Sequence, residues 1–258
     1  MRILVTNDDG IHSPGLELLE KVARELSDDV WTVAPEFDNS GVSHSLSLSD
    51  PLRLRRVAEQ RFAVKGTPTD CVIMATRHVM GERRPDLVLS GINRGSNVAE
   101  DVGYSGTIAG AMEGTVLGIP SIALSQAYGK AGRDNIRWHC GERHGAATIR
   151  AILEVGIPSG CLVNVNFPDR EPDEVGGVAV TAQGKRDNGL LGVEERRDGR
   201  GNPYFWIAFS RTPITPGNGT DLQALADGRI SVTPLKLDMT DEPTMTRYAR
   251  HFAERKDG

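Results

Sequence analysis

Two adjacent aspartates, Asp8 and Asp9, follow directly after a short apolar run at the amino terminus. Two carboxylates held about 4 Å apart repel each other by on the order of 1 kcal/mol in water, and by more in a cleft. A fixed pair at the end of a strand therefore favours a bound cation. A plain Asp-Gly turn before a helix also explains the pair, so other parts of the chain must decide between the two interpretations.

Two later segments carry oxygen-bearing side chains of the same kind. The first follows another apolar run and contains Ser40, although its composition is also that of an ordinary turn. The second begins after Leu89 and contains Asn93. Ligands of open α/β sheets bind outside the carboxyl ends of the strands, so we expect these segments to line one site. Carboxylate, hydroxyl and amide oxygens suit Mg²⁺ or Mn²⁺, with Ca²⁺ as an alternative, and match zinc less well.

A candidate anion site lies in the same segment, directly before a helical pattern. Backbone N–H groups and the positive end of that helix favour an anion at Gly106, with the Ser105 and Thr107 hydroxyls as further donors. Simple capping of the helix by Ser105 or Thr107 is the alternative interpretation.

Several familiar motifs are missing from the sequence. No Gly-x-Gly-x-x-Gly run follows the first apolar segment, and no Gly-x-x-x-x-Gly-Lys-Ser/Thr run occurs, which disfavours flavin, NAD and P-loop chemistry. Residues 41–45 (Gly-Val-Ser-His-Ser) lack the final glycine of a nucleophile elbow. We interpret His139, Cys140 and His144 as residues at a helix start rather than as metal ligands.

The elements that position these residues alternate between strand and helix through about residue 170. Residues 2–6 form an apolar run typical of a buried strand, residues 16–26 show helical periodicity, and residues 30–34 return to strand composition. The later predictions are two short strands within 52–64, a helix over 67–79, a strand at 86–89, a loop over 90–107, a helix over 108–116, a strand at 119–124, a helix over 146–155 and a strand at 161–167. This alternation predicts an α/β fold, with a mostly parallel, Rossmann-like sheet between two helical layers.

Residues 175–258 have a different pattern, which predicts an extension made of a β-hairpin and helices on a single α/β domain spanning 1–258. A strand at 203–209 includes three consecutive aromatic residues, Tyr204, Phe205 and Trp206. Neighbouring residues of a strand point to opposite faces, so both faces are apolar. Large exposed apolar patches are uncommon on monomers. We therefore expect a homodimer or homotetramer, with placement of this strand inside the main sheet as the alternative.

Composition excludes several classes of protein. The chain has 258 residues and a net charge of -5, with no block of like charge long enough to form a tail, which disfavours a nucleic-acid polymer as partner. Three unpaired cysteines indicate neither a disulfide framework nor a thiolate zinc site. The amino terminus lacks the apolar stretch of a signal peptide, and no run approaches the length of a membrane span. These features predict a soluble, cytoplasmic protein without a membrane partner.

The assembled motifs resemble those of the survival protein SurE family over nearly the whole chain. They are Thr6-Asn7-Asp8-Asp9-Gly10, Pro14-Gly15, Ala34-Pro35, Asn39-Ser40-Gly41, Gly66-Thr67-Pro68-Thr69-Asp70-Cys71, Ser90-Gly91-Ile92-Asn93-Arg94-Gly95 with Asn97, Tyr104-Ser105-Gly106-Thr107, Ala111-Met112-Glu113-Gly114 and Ser231-Val232-Thr233-Pro234-Leu235. The resemblance implies a metal-dependent 5'-nucleotidase. Two departures are Ala99, where many relatives have glycine, and Ser13, where alanine is usual.

The resemblance also implies roles for individual residues. The implied ligands of one divalent metal are Asp8, Asp9, Ser40 and Asn93, and the substrate phosphate is expected near Asn97, Ser105, Gly106 and Thr107. Asp8 and Asp9 are the candidate catalytic residues, either of which could steer the attacking water.

The predicted reaction is hydrolysis of nucleoside 5'-monophosphates by a metal-activated water, with 3'-monophosphates and short polyphosphates as further substrates. An aspartyl-phosphate mechanism is a less favoured alternative, because its two aspartates are usually separated by one residue. A non-catalytic nucleotide sensor on the same fold is the alternative from another class.

Overall fold

The computed structural model describes residues 1–129, 132–186, 191–209 and 215–254. Its strands are β1 (Arg2–Thr6), β2 (Asp29–Pro35), β3 (Arg53–Ala58), β4 (Arg61–Lys65), β5 (Leu87–Arg94), β6 (Ser121–Gln126), β7 (Cys161–Phe167), β8 (Val178–Val180), β9 (Leu191–Arg197), β10 (Pro203–Phe209) and β11 (Ile230–Lys236). Its α-helices are α1 (Pro14–Arg24), α2 (Pro68–Met74), α3 (Gly106–Val116), α4 (His139–Val155), α5 (Asp221–Ala226) and α6 (Glu242–Glu254). Shorter helical segments are a π-helical turn at Ala75–Val79 and 3₁₀ turns at Ala99–Gly103, Arg133–Asn135 and Pro172–Glu174.

The main sheet has nine strands in the order β3-β4-β2-β1-β5-β6-β7-β11-β8. The run from β4 through β2, β1, β5 and β6 to β7 is parallel throughout. Within the described residues of this sheet, the antiparallel pairs are β3–β4 and β7–β11. The predicted mostly parallel α/β sheet is therefore confirmed.

Helices cover both faces of this sheet. Ile3 and Val5 of β1 pack in one apolar cluster with Leu16 of α1 and Ile149 of α4. Leu4, between them in sequence, points the other way and packs in a cluster that includes α2 residues. Because successive side chains of a strand alternate between faces, this one buried strand packs against the helices on both faces of the sheet. The result is a three-layer arrangement with β1 at its centre.

The predicted boundaries of β5 and α4 differ from those in the structure. β5 continues to Arg94, so the segment predicted to be a loop from residue 90 begins as strand. The pairing of β5 with β6 shifts register between Ser90 and Asn93, and Gly91 has a φ of 141°. Such a bulge lets a strand continue through Ser, Gly and Asn, residues that normally indicate a turn. α4 begins at His139, well before the predicted start at 146, and contains Cys140 and His144 as expected.

The C-terminal region contributes to two sheets. β11 pairs with β7, and β8 pairs with β11, so the main sheet takes two further strands from beyond residue 170. β9 and β10 form a separate antiparallel hairpin, in agreement with the predicted hairpin and helix extension. No helix within the described residues combines the length and the apolar character needed to cross a membrane.

Candidate active site

The carboxyl ends of β1, β2 and β5 meet at one edge of the sheet, and two hydrogen bonds join their loops there. The Asn39 N–H, after β2, donates to the backbone oxygen of Asp8 at 2.8 Å. The Arg94 N–H, at the end of β5, donates to Asp9 Oδ2 at 3.1 Å. The three segments that carry the predicted metal ligands therefore converge, as the position of their strand ends predicted.

The start of α3 packs directly against Asp8. Thr107 Oγ1 donates a hydrogen bond of 2.6 Å to Asp8 Oδ1, and both residues are buried. A Cβ at position 106 would lie 2.7 Å from the Cβ of Asp8, which is too close for any side chain. Gly106 is therefore required for the turn to approach the carboxylate. This contact brings the candidate anion site and the candidate metal site together.

The adjacent carboxylates lie in an environment that disfavours their charge. Burial, and next the charge of Asp9, raise the pKa of Asp8 to about 7. Burial also raises the pKa of Asp9, although the Arg94 N–H and the charge of Arg133 oppose that shift. Within the described part of the chain, Asp8 has no ion pair with Lys or Arg, whereas Arg133 Nη2 lies 3.6 Å from Asp9 Oδ1. A cation beside the pair would offset the cost of burying both charges.

The remaining predicted ligands supply neutral oxygens. Asn93 Nδ2 donates to the backbone oxygen of Gly95 at 2.9 Å, which leaves the amide oxygen to act as an acceptor. Ser40 Oγ donates to Asp38 Oδ1 at 2.6 Å and retains its oxygen lone pairs. Two carboxylates, one amide oxygen and one hydroxyl form a set that fits a hard divalent cation such as Mg²⁺ or Mn²⁺.

Among the described residues there is no group of three or more His, Cys, Asp or Glu side chains placed to hold a metal. The predicted set contains only two carboxylates, Asp8 and Asp9, so its fit to a metal depends on the neutral oxygens of Ser40 and Asn93.

The candidate phosphate residues occupy different positions around this edge. Ser105 caps α3, where its Oγ accepts from the Ile108 N–H at 3.1 Å. Asn97 is buried, and its Nδ2 donates to Ser125 Oγ at 2.9 Å. The Thr107 hydroxyl, expected to donate to phosphate, instead donates to Asp8, because the close approach at Gly106 places the two side chains in contact. Thr107 therefore orients a carboxylate in this structure.

The family model described as Survival protein SurE matches residues 3–189 of this chain. That match spans more than half of the 258 residues. The chain belongs to the survival protein SurE family. The matched segment includes every candidate site residue, so the family assignment covers the edge of the sheet described above.

Individual relatives agree with the SurE assignment. A Methylobacterium nodulans protein named 5'-nucleotidase SurE is 71% identical over 252 residues, which cover 98% of this chain and 100% of the relative. An Azorhizobium caulinodans protein of the same name is 66% identical over 255 residues, covering 99% of this chain and 100% of the relative. The crystal structure of the SurE protein from Aquifex aeolicus is 42% identical, with a TM-score of 0.83 over 96% of this chain and 98% of that one.

Sequence reasoning missed several residues around the SurE site. Arg133 contacts Asp9, yet nothing in the composition of its loop indicates this. Asn164 and Asn166 lie in β7 and donate to the backbone oxygen of Asn97 at 2.8 and 3.2 Å. Their signal was available, because two asparagines alternate with valines in a strand that is otherwise apolar. Polar residues at every second position of a buried strand require partners on that face.

Proposed function

We propose that this chain is a metal-dependent phosphatase that hydrolyses nucleoside 5'-monophosphates to nucleoside and phosphate. The observation that carries the proposal is the contact of Gly106 and Thr107 with Asp8, since the start of a helix, a position that favours anions, lies beside the carboxylate pair. Relatives at 71% and 66% identity, named 5'-nucleotidase SurE, support the same assignment.

The proposed metal ligands are Asp8, Asp9, Ser40 and Asn93. A divalent ion held there would supply positive charge toward phosphoryl oxygens and would lower the pKa of a water molecule. Mg²⁺ and Mn²⁺ suit the oxygen donors best, and Ca²⁺ is the alternative.

The protein's own groups bind and orient the substrate in this proposal. Free N–H groups in the first turn of α3, together with the Ser105 hydroxyl, bind the phosphate oxygens. Asn97 borders the same cradle. Asp8 or Asp9 orients the attacking water through a carboxylate oxygen, in line with the leaving ribose oxygen. Thr107 fixes the orientation of Asp8 through its hydrogen bond.

We further propose that the protein is a homodimer or homotetramer assembled through the β9–β10 hairpin. The support is the exposure of this hairpin outside the main sheet, where Phe205 and Ile207 are 60% and 76% exposed and Trp206 on the opposite face is 56% exposed. A strand such as β10, with apolar side chains on both of its faces, is covered when another chain packs on it. Residues 1–258 are proposed to form a single α/β domain, with this hairpin as an oligomerisation element.

A matrix of substrates and metals tests the proposed activity. Phosphate release is measured from nucleoside 5'-monophosphates, 3'-monophosphates and short polyphosphates, each with Mg²⁺, Mn²⁺, Ca²⁺ or a chelator. We expect release from 5'-monophosphates that requires a divalent ion and is fastest with Mg²⁺ or Mn²⁺. Tight binding of nucleotides without phosphate release under any condition would instead establish a nucleotide sensor.

A further inference from the structure

Asp221, at the first position of α5, is a fully buried carboxylate that binds the backbone of three segments. Its Oδ1 accepts hydrogen bonds from the N–H groups of Gly184 at 2.8 Å and Leu222 at 2.7 Å. Its Oδ2 accepts from the N–H of Ala99 at 2.9 Å. Across the described ranges, no ion pair links Asp221 to a Lys or Arg side chain. Converging N–H donors stabilise a buried carboxylate, so this one holds backbone groups in place.

Ala99 adopts a backbone conformation that alanine normally avoids. It is buried, and its φ of 54° lies in the left-handed region, where the Cβ atom is unfavourable. Its N–H donates to Asp221, and its backbone oxygen accepts from Gln183 Nε2 at 2.8 Å. Both backbone polar groups of Ala99 are therefore held by residues far along the chain, which keeps the strained conformation in place.

Arg186 holds the rest of the same turn. Its guanidinium pairs with both carboxylate oxygens of Asp101 at 2.8 Å and donates to the backbone oxygen of Val98 at 2.9 Å. The backbone oxygen of Asp101 then accepts from the Ser105 N–H at 3.0 Å, so the ion pair is connected to the cap of α3. We refer to Asp221, Gln183 and Arg186 together as the C-terminal clamp.

The turn held by the C-terminal clamp connects two parts of the proposed phosphate cradle. It begins after Asn97, whose N–H is fixed by Asn166 Oδ1 at 2.8 Å, and it ends at Ser105. A change in the backbone at Ala99 therefore moves the start of α3 relative to Asn97. We propose that Asp221 is a positioning residue for the phosphate cradle, which it sets by holding Ala99 in the left-handed conformation. This inference rests on the proposed function for the identity of the cradle.

Asp221→Asn tests the proposal by removing one hydrogen bond. The retained oxygen still accepts from Gly184 and Leu222, while the new NH₂ group faces the Ala99 N–H. Asp227→Asn is the matched control, since Asp227 lies exposed at the other end of α5. We expect Asp221→Asn to weaken inorganic phosphate binding roughly tenfold, because phosphate binding would then have to restore the position of the turn at about the cost of one hydrogen bond to a charged group. Calorimetry with Mn²⁺ present measures this binding without turnover.

Kinetics and a second substitution separate positioning from general destabilisation. In Asp221→Asn, KM for a nucleoside 5'-monophosphate should rise by the same factor, while kcat and Mn²⁺ affinity change far less. Adding Ala99→Gly should restore phosphate affinity, because glycine adopts a positive φ without steric cost. If Asp221→Asn does not fold, Arg186→Gln releases the same turn at a position whose side chain is 21% exposed, and it is expected to give the same loss.

Three outcomes would overturn the inference. Equal phosphate binding by Asp221→Asn and Asp227→Asn would refute positioning and leave the proposed function intact. A loss that Ala99→Gly does not restore would refute the role of the Ala99 conformation. Absence of phosphate binding in the wild type would refute the cradle and its positioning together. A wild type that binds phosphate but hydrolyses no nucleotide would refute the proposed function alone, and the comparison of the two variants would still decide the role of Asp221.

Discussion

The sheet edge at β1 and the β9–β10 hairpin depart from ordinary protein surfaces in opposite ways. At the edge, Asp8 is a carboxylate buried beside another carboxylate. In the hairpin, Phe205 and Trp206 are aromatic residues left exposed on opposite faces. Buried charge and exposed apolar area both cost free energy, so each is retained where a ligand or a partner compensates. The first departure indicates a site for a cation and an anion, and the second indicates a surface for another chain.

The largest effect on activity should come from neutralising either carboxylate of the pair. Asp8→Asn or Asp9→Asn is expected to lower phosphatase activity by roughly a thousandfold, since a bound metal supplies several kcal/mol of charge stabilisation in such reactions. The metal-free Asp8→Asn protein should melt no lower than the metal-free wild type, because an uncharged amide is less costly to bury. Phosphate-release assays and thermal melts measure both effects. Near-normal turnover in either variant at saturating metal would contradict the assignment.

Metal removal should change stability at the sheet edge and leave the hairpin unaffected. A ligand at a hundred times its Kd stabilises the folded state by about 2.7 kcal/mol. Adding Mn²⁺ to wild-type protein that has been treated with a chelator should therefore raise Tm by several degrees. In a domain of this size, each kcal/mol of added stability raises Tm by about 2–4 °C. The Asp8→Asn variant is the control and should show little change. An equal rise in both proteins would place the responsible ion elsewhere.

The start of α3 should show an intermediate effect. Ser105→Ala removes a hydroxyl donor and a helix cap, and is expected to weaken inhibition by inorganic phosphate roughly tenfold. Thr107→Ala should act differently, because its hydroxyl donates to Asp8: we expect weaker metal binding, with Thr107→Ser as the conservative control. Inhibition constants for phosphate and activation constants for Mn²⁺ distinguish the two. Identical behaviour of both alanine variants would show that the turn acts as one unit.

Substitutions in the hairpin should have the smallest effect on catalysis and should clearly lower the mass of the assembly in solution. The double variant Phe205→Ser/Ile207→Ser makes one exposed face polar, so we expect weaker self-association than in the wild type. Activity per chain should stay within about twofold, because surface changes away from a site usually alter stability by less than 0.5 kcal/mol. Light scattering combined with phosphate-release assays tests this. A wild-type protein that is monomeric at micromolar concentration would refute the proposed assembly.

The sequence predicted most of the α/β core because apolar periodicity dominates there. It also predicted which strand ends converge, since parallel strands present their carboxyl ends at one edge. It placed the end of β5 too early, because Ser90, Gly91 and Asn93 resemble a turn although a bulge keeps them in the strand. Local sequence patterns depend on neighbours along the chain. They therefore do not show the register shift between β5 and β6, which are far apart in sequence.

Contacts between distant segments were beyond sequence reasoning. The bond between Ala99 and Asp221 joins positions separated by 122 residues, and no periodicity connects them. The sequence showed an alanine at position 99, where many relatives have glycine. It did not show that the backbone of Ala99 is left-handed. Likewise, the Thr107 hydroxyl donates to Asp8 because of the close approach that Gly106 permits, and no local pattern shows the direction of that hydroxyl.

A Mn²⁺ titration of chelator-treated wild-type protein tests the proposed metal site most directly, with bound ion and phosphate release from a nucleoside 5'-monophosphate measured on the same samples. We expect no release without metal, and release that rises in proportion to the first ion bound per chain. Asp8→Asn, measured in parallel, should bind Mn²⁺ weakly and release little phosphate. Full phosphate release in the presence of the chelator, or equal Mn²⁺ binding by both proteins, would contradict the assignment of the carboxylate pair.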